Sequence, residues 1–438
     1  MAAWDINSRT IIPIQMRSPL IFKFGGASVK DTNSVKNVAK IIGQHDDRRP
    51  IIVVVSAMGK TTNAFEEVVS AFAGDEAGKE EQINKLLDGI QEFHLGIINN
   101  LFDEPEEITN KVKEIIESAR NSTQRKYADY SEAYDAIVHH GELISTRIIA
   151  AYIGLTRDTV WHDTKKLIKT DDQFRRATVK WEETTRAIQS TIIEECVHVV
   201  QGFIGSTENE KPTTLGREGS DYTGAVFAYC LNANSLTIWK DVPGMLNGDP
   251  KIFSNTTKID SIPFNEAIEL AFYGASIIHP KTIQPLKKKN IPLQIKSFVD
   301  SSKPGTTIGG MEHPVPQVAN FILKKNQLLL QISTKDLAFI AEHHLSAVYH
   351  LFANKGIVVN LMRNTATKAM FCINHDTIIV PKVLSELKKE FELEWTDSVE
   401  LLTIRHYSAS DEARETAGLE ILLEQRTPET VQFVFKRS

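Results

Sequence analysis

Cysteine is scarce in this chain. Cys196, Cys230 and Cys372 are the only three among 438 residues, widely spaced and without a C-x-x-C pair. That argues against a disulfide framework or a structural zinc site, and leaves buried apolar thiols in a reducing compartment as the expectation. Long apolar runs are missing as well. No stretch approaches the ~20 residues needed to cross a bilayer. Met1–Arg17 lacks a basic end joined to an apolar stretch, so no secretory leader is expected. Residues 1–17 read as a flexible extension, and the expected location is cytoplasmic. Charge of one sign is missing too: 50 Lys and Arg against 56 Asp and Glu leave a net charge of −6. Such balance gives no broad footprint for nucleic acid or an anionic membrane, so a phosphate site has to be local.

What is present is the composition of a globular protein, 42% hydrophobic and 24% charged. The length calls for two or three domains. From Leu20 to about Ile308 short apolar runs alternate with helical patterns. Leu20–Phe24, Ile51–Ala57, Val199–Ile204, Leu236–Trp239 and Pro292–Ser297 read as strands, several nearly continuous in β-branched and aliphatic residues. Helices are expected over Thr32–Gln44, Tyr130–Leu155, Tyr222–Leu231 and Asn265–Phe272. The order predicts a three-layer α/β/α sandwich with a mainly parallel sheet and ligand loops at the strand carboxyl ends. Residues 74–126, rich in Glu, Lys and Asn, read as a helical insertion on the surface, a solvated helical pair in preference to a dimer lid.

Ser301-Ser302-Lys303-Pro304-Gly305 closes this region and Met311–Pro316 reads as a linker. Beyond it, strands are expected at Leu328–Ser333, Val358–Met362, Lys368–Ile373 and Val399–His406, with helices at Ala347–Lys355 and Val383–Phe391. Two segments echo one another. Leu361–Thr367 precedes a strand reaching Phe371, and Leu423–Glu429 precedes one reaching Phe433. Each reads as a hairpin within a module of about 60 residues.

Five loops carry the chemistry. Lys23-Phe24-Gly25-Gly26 ends a strand and enters a helix, where glycines admit a phosphate to the backbone and a lysine adds charge. Ser56 to Asn63, with Thr62, clusters hydroxyls and an amide after a buried strand. His140-Gly141-Glu142 opens a helix with a carboxylate suited to an ammonium. Gly216-Arg217-Glu218-Gly219-Ser220-Asp221 offers an arginine fork for a carboxylate and an acid at a helix start. Lys240-Asp241 through Leu246, Asp249 and Lys251 forms a charged, turn-rich rim. Taken singly, each has a bland reading: a turn, a helix cap, a dipole partner or a surface charge.

In this order the five loops, together with Gly274–Pro280, resemble the aspartokinases of the amino-acid kinase superfamily. The resemblance implies an amino-acid kinase domain over residues 18–310, followed over 317–438 by tandem α+β ACT-like regulatory modules, the second shortened. It implies ATP and Mg²⁺ as nucleotide and metal, aspartate as acceptor and 4-phospho-L-aspartate as product, the first step toward lysine, threonine and methionine. Lys23 and Asp221 would be catalytic, with Gly25 and Gly26 cradling phosphate. Ser56, Thr62, Asn63, Glu142, Arg217 and Ser220 would hold the substrate, Glu142 its α-amine and Arg217 its α-carboxylate. Lys240, Asp241, Leu246, Asp249 and Lys251 would meet the nucleotide. It further implies a homodimer through the ACT-like modules and lysine or threonine as effector.

The sequence departs from the family on the nucleotide side. Lys240, Leu246 and Lys251 stand where Thr, Tyr and Arg are common, and Ser276 where Lys often follows Gly-Ala. A lysine does not reproduce an arginine fork, so weak ATP affinity is expected. The alternatives are a non-catalytic amino-acid sensor of the same fold and a related small-molecule carboxylate kinase. His279-Pro280 reads as a turn and helix start rather than as a catalytic pair.

Overall fold

The computed structural model describes residues 17–437 apart from 46–48, 75–76, 194, 276 and 337. The extension at 1–17, except Arg17, and the departure at Ser276 therefore lie outside the described residues. The chain forms two compact units. One comprises the residues up to Gly244 together with Lys281–Gly310; the other comprises Met245–Pro280 and the residues from Met311 onward.

The sheet of the first unit contains β1 (Leu20–Phe24), β2 (Ile51–Val55), β3 (Thr159–Trp161), β4 (Val197–Gln201), β5 (Ser235–Lys240), β6 (Leu293–Ser297) and β7 (Thr306–Gly309). They lie in the order β7-β6-β5-β1-β2-β4-β3, and every pair is parallel except β6 with β7. β2 reads Ile-Ile-Val-Val-Val and is buried at every position, as a strand covered on both faces must be. Phe22, Phe24, Val53 and Val55 point into a core shared with the helix His140–Gly154. Lys23 and Leu236 instead face Gly224 of the helix Gly219–Leu231. Register aligns Phe24 with Val55 and Trp239, and Val55 with Gln201. The segments leaving β1, β2, β4 and β5 thus emerge at one edge, the usual ligand edge of such sheets.

Two expectations for this unit need correction. Tyr130–Leu155 is not one helix but two, Tyr130–Val138 and His140–Gly154. His139 interrupts it, its Nδ1 3.0 Å from the Asp135 carbonyl, a ring competing for a helix acceptor. Nor do the helices Lys79–Asn99 and Glu106–Ser122 form a merely solvated pair. Their inner faces, including Ile83, Leu87, Ile90, Val112 and Ile116, join the main core. The charged residues that made the segment read as surface occupy only the outer faces.

The second unit holds an antiparallel sheet of β8 (Asn320–Thr334), β9 (Val359–Asn364), β10 (Lys368–Asn374), β11 (Phe391–Arg405), β12 (Glu420–Arg426) and β13 (Thr430–Lys436), ordered β9-β10-β8-β11-β13-β12. β8 and β11 pair along their length, with register shifts between Lys324 and Leu329. One end packs Leu330, Phe371 and Phe391 under the helices Glu342–Lys355 and Ile379–Leu387. That second helix ends before Phe391, which begins β11 instead of closing a helix as expected. The other end carries Phe321, Ile404 and Phe433 and the short helix Ala409–Thr416.

The echo between the two hairpins is structural. Leu361 pairs with Cys372 and Leu423 with Val434, each just past a register shift in the same place. All four side chains meet in one cluster. Met245–Pro280 is built into this unit by Asn247, whose amide donates to the Ala319 carbonyl at 2.8 Å while its own carbonyl accepts from Phe321 N at 2.7 Å. All three cysteines are buried thiols. Among the described residues no helix is long and apolar enough to cross a membrane.

Candidate active site

A cavity of about 500 Å³ opens at the carboxyl edge of the first sheet, lined by Lys23, Ser56, Thr62, Glu142, Arg217, Ser220, Asp221 and Lys240, together with Glu66, Tyr134, Arg175, Phe203, Thr214 and Glu218. Most of the side chains singled out in the sequence thus share one space. Asn63 and Asp241 are exposed and do not line it, and neither do Gly25 and Gly26. Gly26 has a packing reason of its own: an added β-carbon would sit 2.8 Å from the Ala57 carbonyl oxygen and 2.9 Å from that of Gly59. Only glycine lets the loop after β1 lie so close to the loop after β2. Leu246, Asp249 and Lys251 belong to the second unit.

Several of the bland readings fail, although Glu142 and Asp221 do stand in the first turns of their helices, where a dipole partner would. The helix Thr61–Ala73 has Lys60 at its N-cap and no side-chain cap bond, so Thr62 is not a cap. The helix Gly219–Leu231 has Glu218 at its N-cap and again no side-chain cap, which frees Ser220 and Asp221 for other work. Glu142 is 2% exposed, so it is no surface charge either. Pro280, by contrast, opens the helix Pro280–Lys288, as a structural proline does.

Charge in the cavity is arranged in two ways. At one end the Lys23 ammonium lies 2.6 Å from Asp221 Oδ1, and the Lys240 ammonium 3.7 Å from Asp221 Oδ2. Asp221 Oδ1 makes no aligned hydrogen bond, so the contact with Lys23 is one of charge. Elsewhere in the cavity Glu142 stands without a cation. Its Oε2 has no partner, and burial pushes its carboxyl up to about 8 despite backbone donors that favour the anion. Glu218 Oε2 is likewise buried and unpaired. An unpaired buried carboxylate is costly and is relieved by an ammonium or a proton donor.

The sequence reading missed Glu66, Tyr134, Arg175, Phe203, Thr214 and Glu218 as lining residues. Tyr134 donates to Glu66 at 2.6 Å, and a hydroxyl–carboxylate pair between separate helices leaves no mark in either segment. Asp135, which lies behind the cavity wall, could have been suspected: it is an acid inside the apolar run Ala133–Val138.

The amino acid kinase family model matches residues 18–297. The chain is 30% identical over 402 residues to the lysine-sensitive aspartokinase 3 of Escherichia coli, covering 89% of this chain and 87% of the relative. It is 32% identical over 357 residues to the chloroplastic aspartokinase 1 of Arabidopsis thaliana, covering 78% of this chain and 61% of the relative. Among solved structures, E. coli aspartokinase III with aspartate and ADP superposes with a TM-score of 0.80 at 27% identity, over 95% of this chain and 96% of that one. The same enzyme with lysine and aspartate gives 0.78 at 27% identity, over 95% of each. With fold, site and relatives in agreement along nearly the whole length, the chain belongs to the amino acid kinase family, among its aspartokinases.

Proposed function

We propose that this chain phosphorylates the side-chain carboxylate of L-aspartate with ATP. The observation that carries the reading is Glu142, a buried carboxylate with a free oxygen, in one cavity with Arg217 and the Lys23–Asp221 pair. An amino acid with two carboxylates needs one anionic contact for its ammonium and cationic contacts for the rest, and the cavity supplies both. In this reading Glu142 takes the α-amine and Arg217 the α-carboxylate, while Ser56, Thr62 and Ser220 complete the polar wall, with Asn63 beside its entrance.

The β-carboxylate is ionised at neutral pH, so no general base is required. Its oxygen attacks the γ-phosphorus in line. A carboxylate oxygen–phosphorus bond forms, the bond to the β–γ bridging oxygen breaks, and ADP leaves with that electron pair. Lys23 offsets charge on the transferring phosphoryl group, and Asp221 holds Lys23 at 2.6 Å so that its ammonium is fixed before the reaction. Gly25 and Gly26 follow Lys23 as the backbone neighbours of that phosphate. Lys240, Asp241, Leu246, Asp249 and Lys251 are assigned to the nucleotide, with weaker grip where lysine stands for arginine.

Among the described residues no group of three or more His, Cys, Asp or Glu could hold a metal by itself. Mg²⁺ would be carried mainly by phosphate oxygens and water, and Asp221, already paired with Lys23 and Lys240, would act on it through those phosphates. When bound, the ion supplies charge neutralisation on the phosphates. The aspartyl phosphate product suits the biosynthesis of lysine, threonine and methionine in the cytoplasm. The two hairpin modules are read as ACT-like, pairing two copies of the chain and taking lysine or threonine as effector.

The test is aspartate-dependent ADP release with hydroxylamine trapping of the acyl phosphate, repeated with lysine and threonine. Trapped aspartyl hydroxamate is the expected result. Binding of lysine or threonine without any aspartate-dependent turnover would replace this reading with a sensor, which the changes at Leu246 and Lys251 favour.

A further inference from the structure

Three non-glycine residues of the cavity adopt backbone conformations that side chains rarely take, Phe203 at φ 73° among them. Arg175 has φ 66° and Glu218 φ 55°, inside the left-handed region where a β-carbon is strained. Strain of this kind persists only where the surroundings impose it. At Arg175 the agent is Asp135, which is fully buried. Its Oδ2 accepts from Arg175 N and from Thr214 N, both at 2.8 Å, and its Oδ1 accepts from the Thr214 hydroxyl at 2.7 Å. One carboxylate thereby ties the loop of Arg175 to the strand Pro212–Thr214, which leads directly to Gly216-Arg217. Gly216 completes the tie, because at φ 79° an added β-carbon would lie 3.3 Å from the Arg175 carbonyl oxygen.

The Arg175 side chain lies over Tyr134, its Cζ 4.7 Å from the ring centroid. Among the described residues its guanidinium makes no ion pair within 4 Å and no side-chain hydrogen bond. It lines the same cavity as Arg217 and Glu142. Ring stacking occupies the face of a guanidinium and leaves its in-plane donors open to an anion. Arg175 is exposed where it lines the cavity, and a strained backbone, a buried carboxylate spent on holding it, and open donors there suit a ligand carboxylate.

We propose that Arg175 is a substrate-binding residue, a second guanidinium beside Arg217 for the non-reacting carboxylate of the substrate, and that Asp135 is its positioning residue. The proposal rests on the aspartate kinase reading and deepens it by adding a contact on the acceptor side.

The experiment is steady-state kinetics of the full chain with aspartate varied at saturating ATP, for the unaltered protein and for R175G, R175K, D135N and the double variant. R175G suits the left-handed backbone while deleting the guanidinium, so misfolding does not cloud it. It should raise KM for aspartate about tenfold, with kcat within about threefold and KM for ATP unchanged. R175K, which keeps charge without the fork, should fall between. D135N should raise KM for aspartate in the same direction, and the double variant should be no worse than the worse single one. With the α-amide of aspartate as acceptor, the R175G effect on KM should vanish.

An unchanged KM for aspartate in R175G, in a protein that turns over normally, overturns the proposal and leaves Arg175 a stacking residue. A penalty that persists with the α-amide overturns the assignment to that carboxylate. Should the unaltered chain show no aspartate-dependent turnover, the kinase reading fails on its own account. Calorimetric binding of aspartate to the unaltered chain and to R175G then decides the role of Arg175 directly: equal affinity, or no binding to either, overturns it.

Discussion

Two buried charges, one in each unit, are treated in opposite ways. In the second unit, the Arg405 side chain is 6% exposed and fully answered. Glu266 accepts from its Nε at 2.8 Å and its Nη2 at 2.7 Å, and Thr430 accepts from Nη1 at 2.8 Å. Burial pushes the Glu266 carboxyl up, but the hydrogen bonds and charge of Arg405 outweigh it and leave it below its ordinary range. In the first unit Glu142 is buried as deeply, with an unpartnered oxygen and a carboxyl raised to about 8. A completed buried pair is architecture. An incomplete one leaves room for a ligand's charge, which is the ground on which Glu142 is proposed to meet the substrate.

The contrast can be broken at either end. The largest effect belongs to Lys23→Ala, which deletes the cation proposed to stand beside the transferring phosphoryl group and deprives Asp221 of its nearest partner. Turnover should fall at least a thousandfold, about 4 kcal/mol, in a protein whose circular dichroism is unchanged. Ordinary hydroxamate formation by that folded variant would remove Lys23 from the reaction.

Next comes Arg405→Met, which strands Glu266 and should cost about 3–5 kcal/mol by urea denaturation. The double variant R405M/E266M should recover most of the loss. A single variant as stable as the parent would show that the pair is not architectural.

Glu142 sharpens the comparison through pH. Its carboxyl lies near 8 in the folded chain against an ordinary 4.5. The stability it allows is whole below about 4.5 and is lost as pH rises through 8, at about 1.4 kcal/mol per pH unit in between. E142Q should flatten that slope, and a slope that survives the substitution would place its origin elsewhere.

The smallest effect is in binding. Pairing with an ammonium should ionise Glu142, so aspartate binding near pH 7 should release close to one proton. Calorimetry in buffers of different ionisation enthalpy reads this number, and E142Q should bring it to zero. Aspartate binding with no proton release would mean that the ammonium is held by another group.

Much of this was legible from residue order alone. β2 could be read because five β-branched residues in a row suit a doubly covered strand, and the paired hairpins because Leu361 and Leu423 recur at one spacing in one pattern. Lys23, Glu142, Arg217 and Asp221 were legible as motif members, each tied to a short loop. The helical pair after residue 74 reads as surface in the sequence, because its abundant charge hides an inner stripe of isoleucine and leucine. Arg175, Tyr134 and Glu66 left no readable signal, since their meaning comes from contacts between segments far apart in the chain.

By itself, then, the sequence determined the local elements and the chemical types assembled at the site, because periodicity, β-branching and short loop motifs act over a few residues. Only the tertiary structure decided that Glu142 is buried without a cation, that Asp135 holds Arg175 in a strained backbone, and that Met245–Pro280 packs with the later part of the chain through Asn247. Burial and partnership depend on long-range register, which raises the cost of a lone charge or cancels it, and no local pattern encodes which of the two will occur.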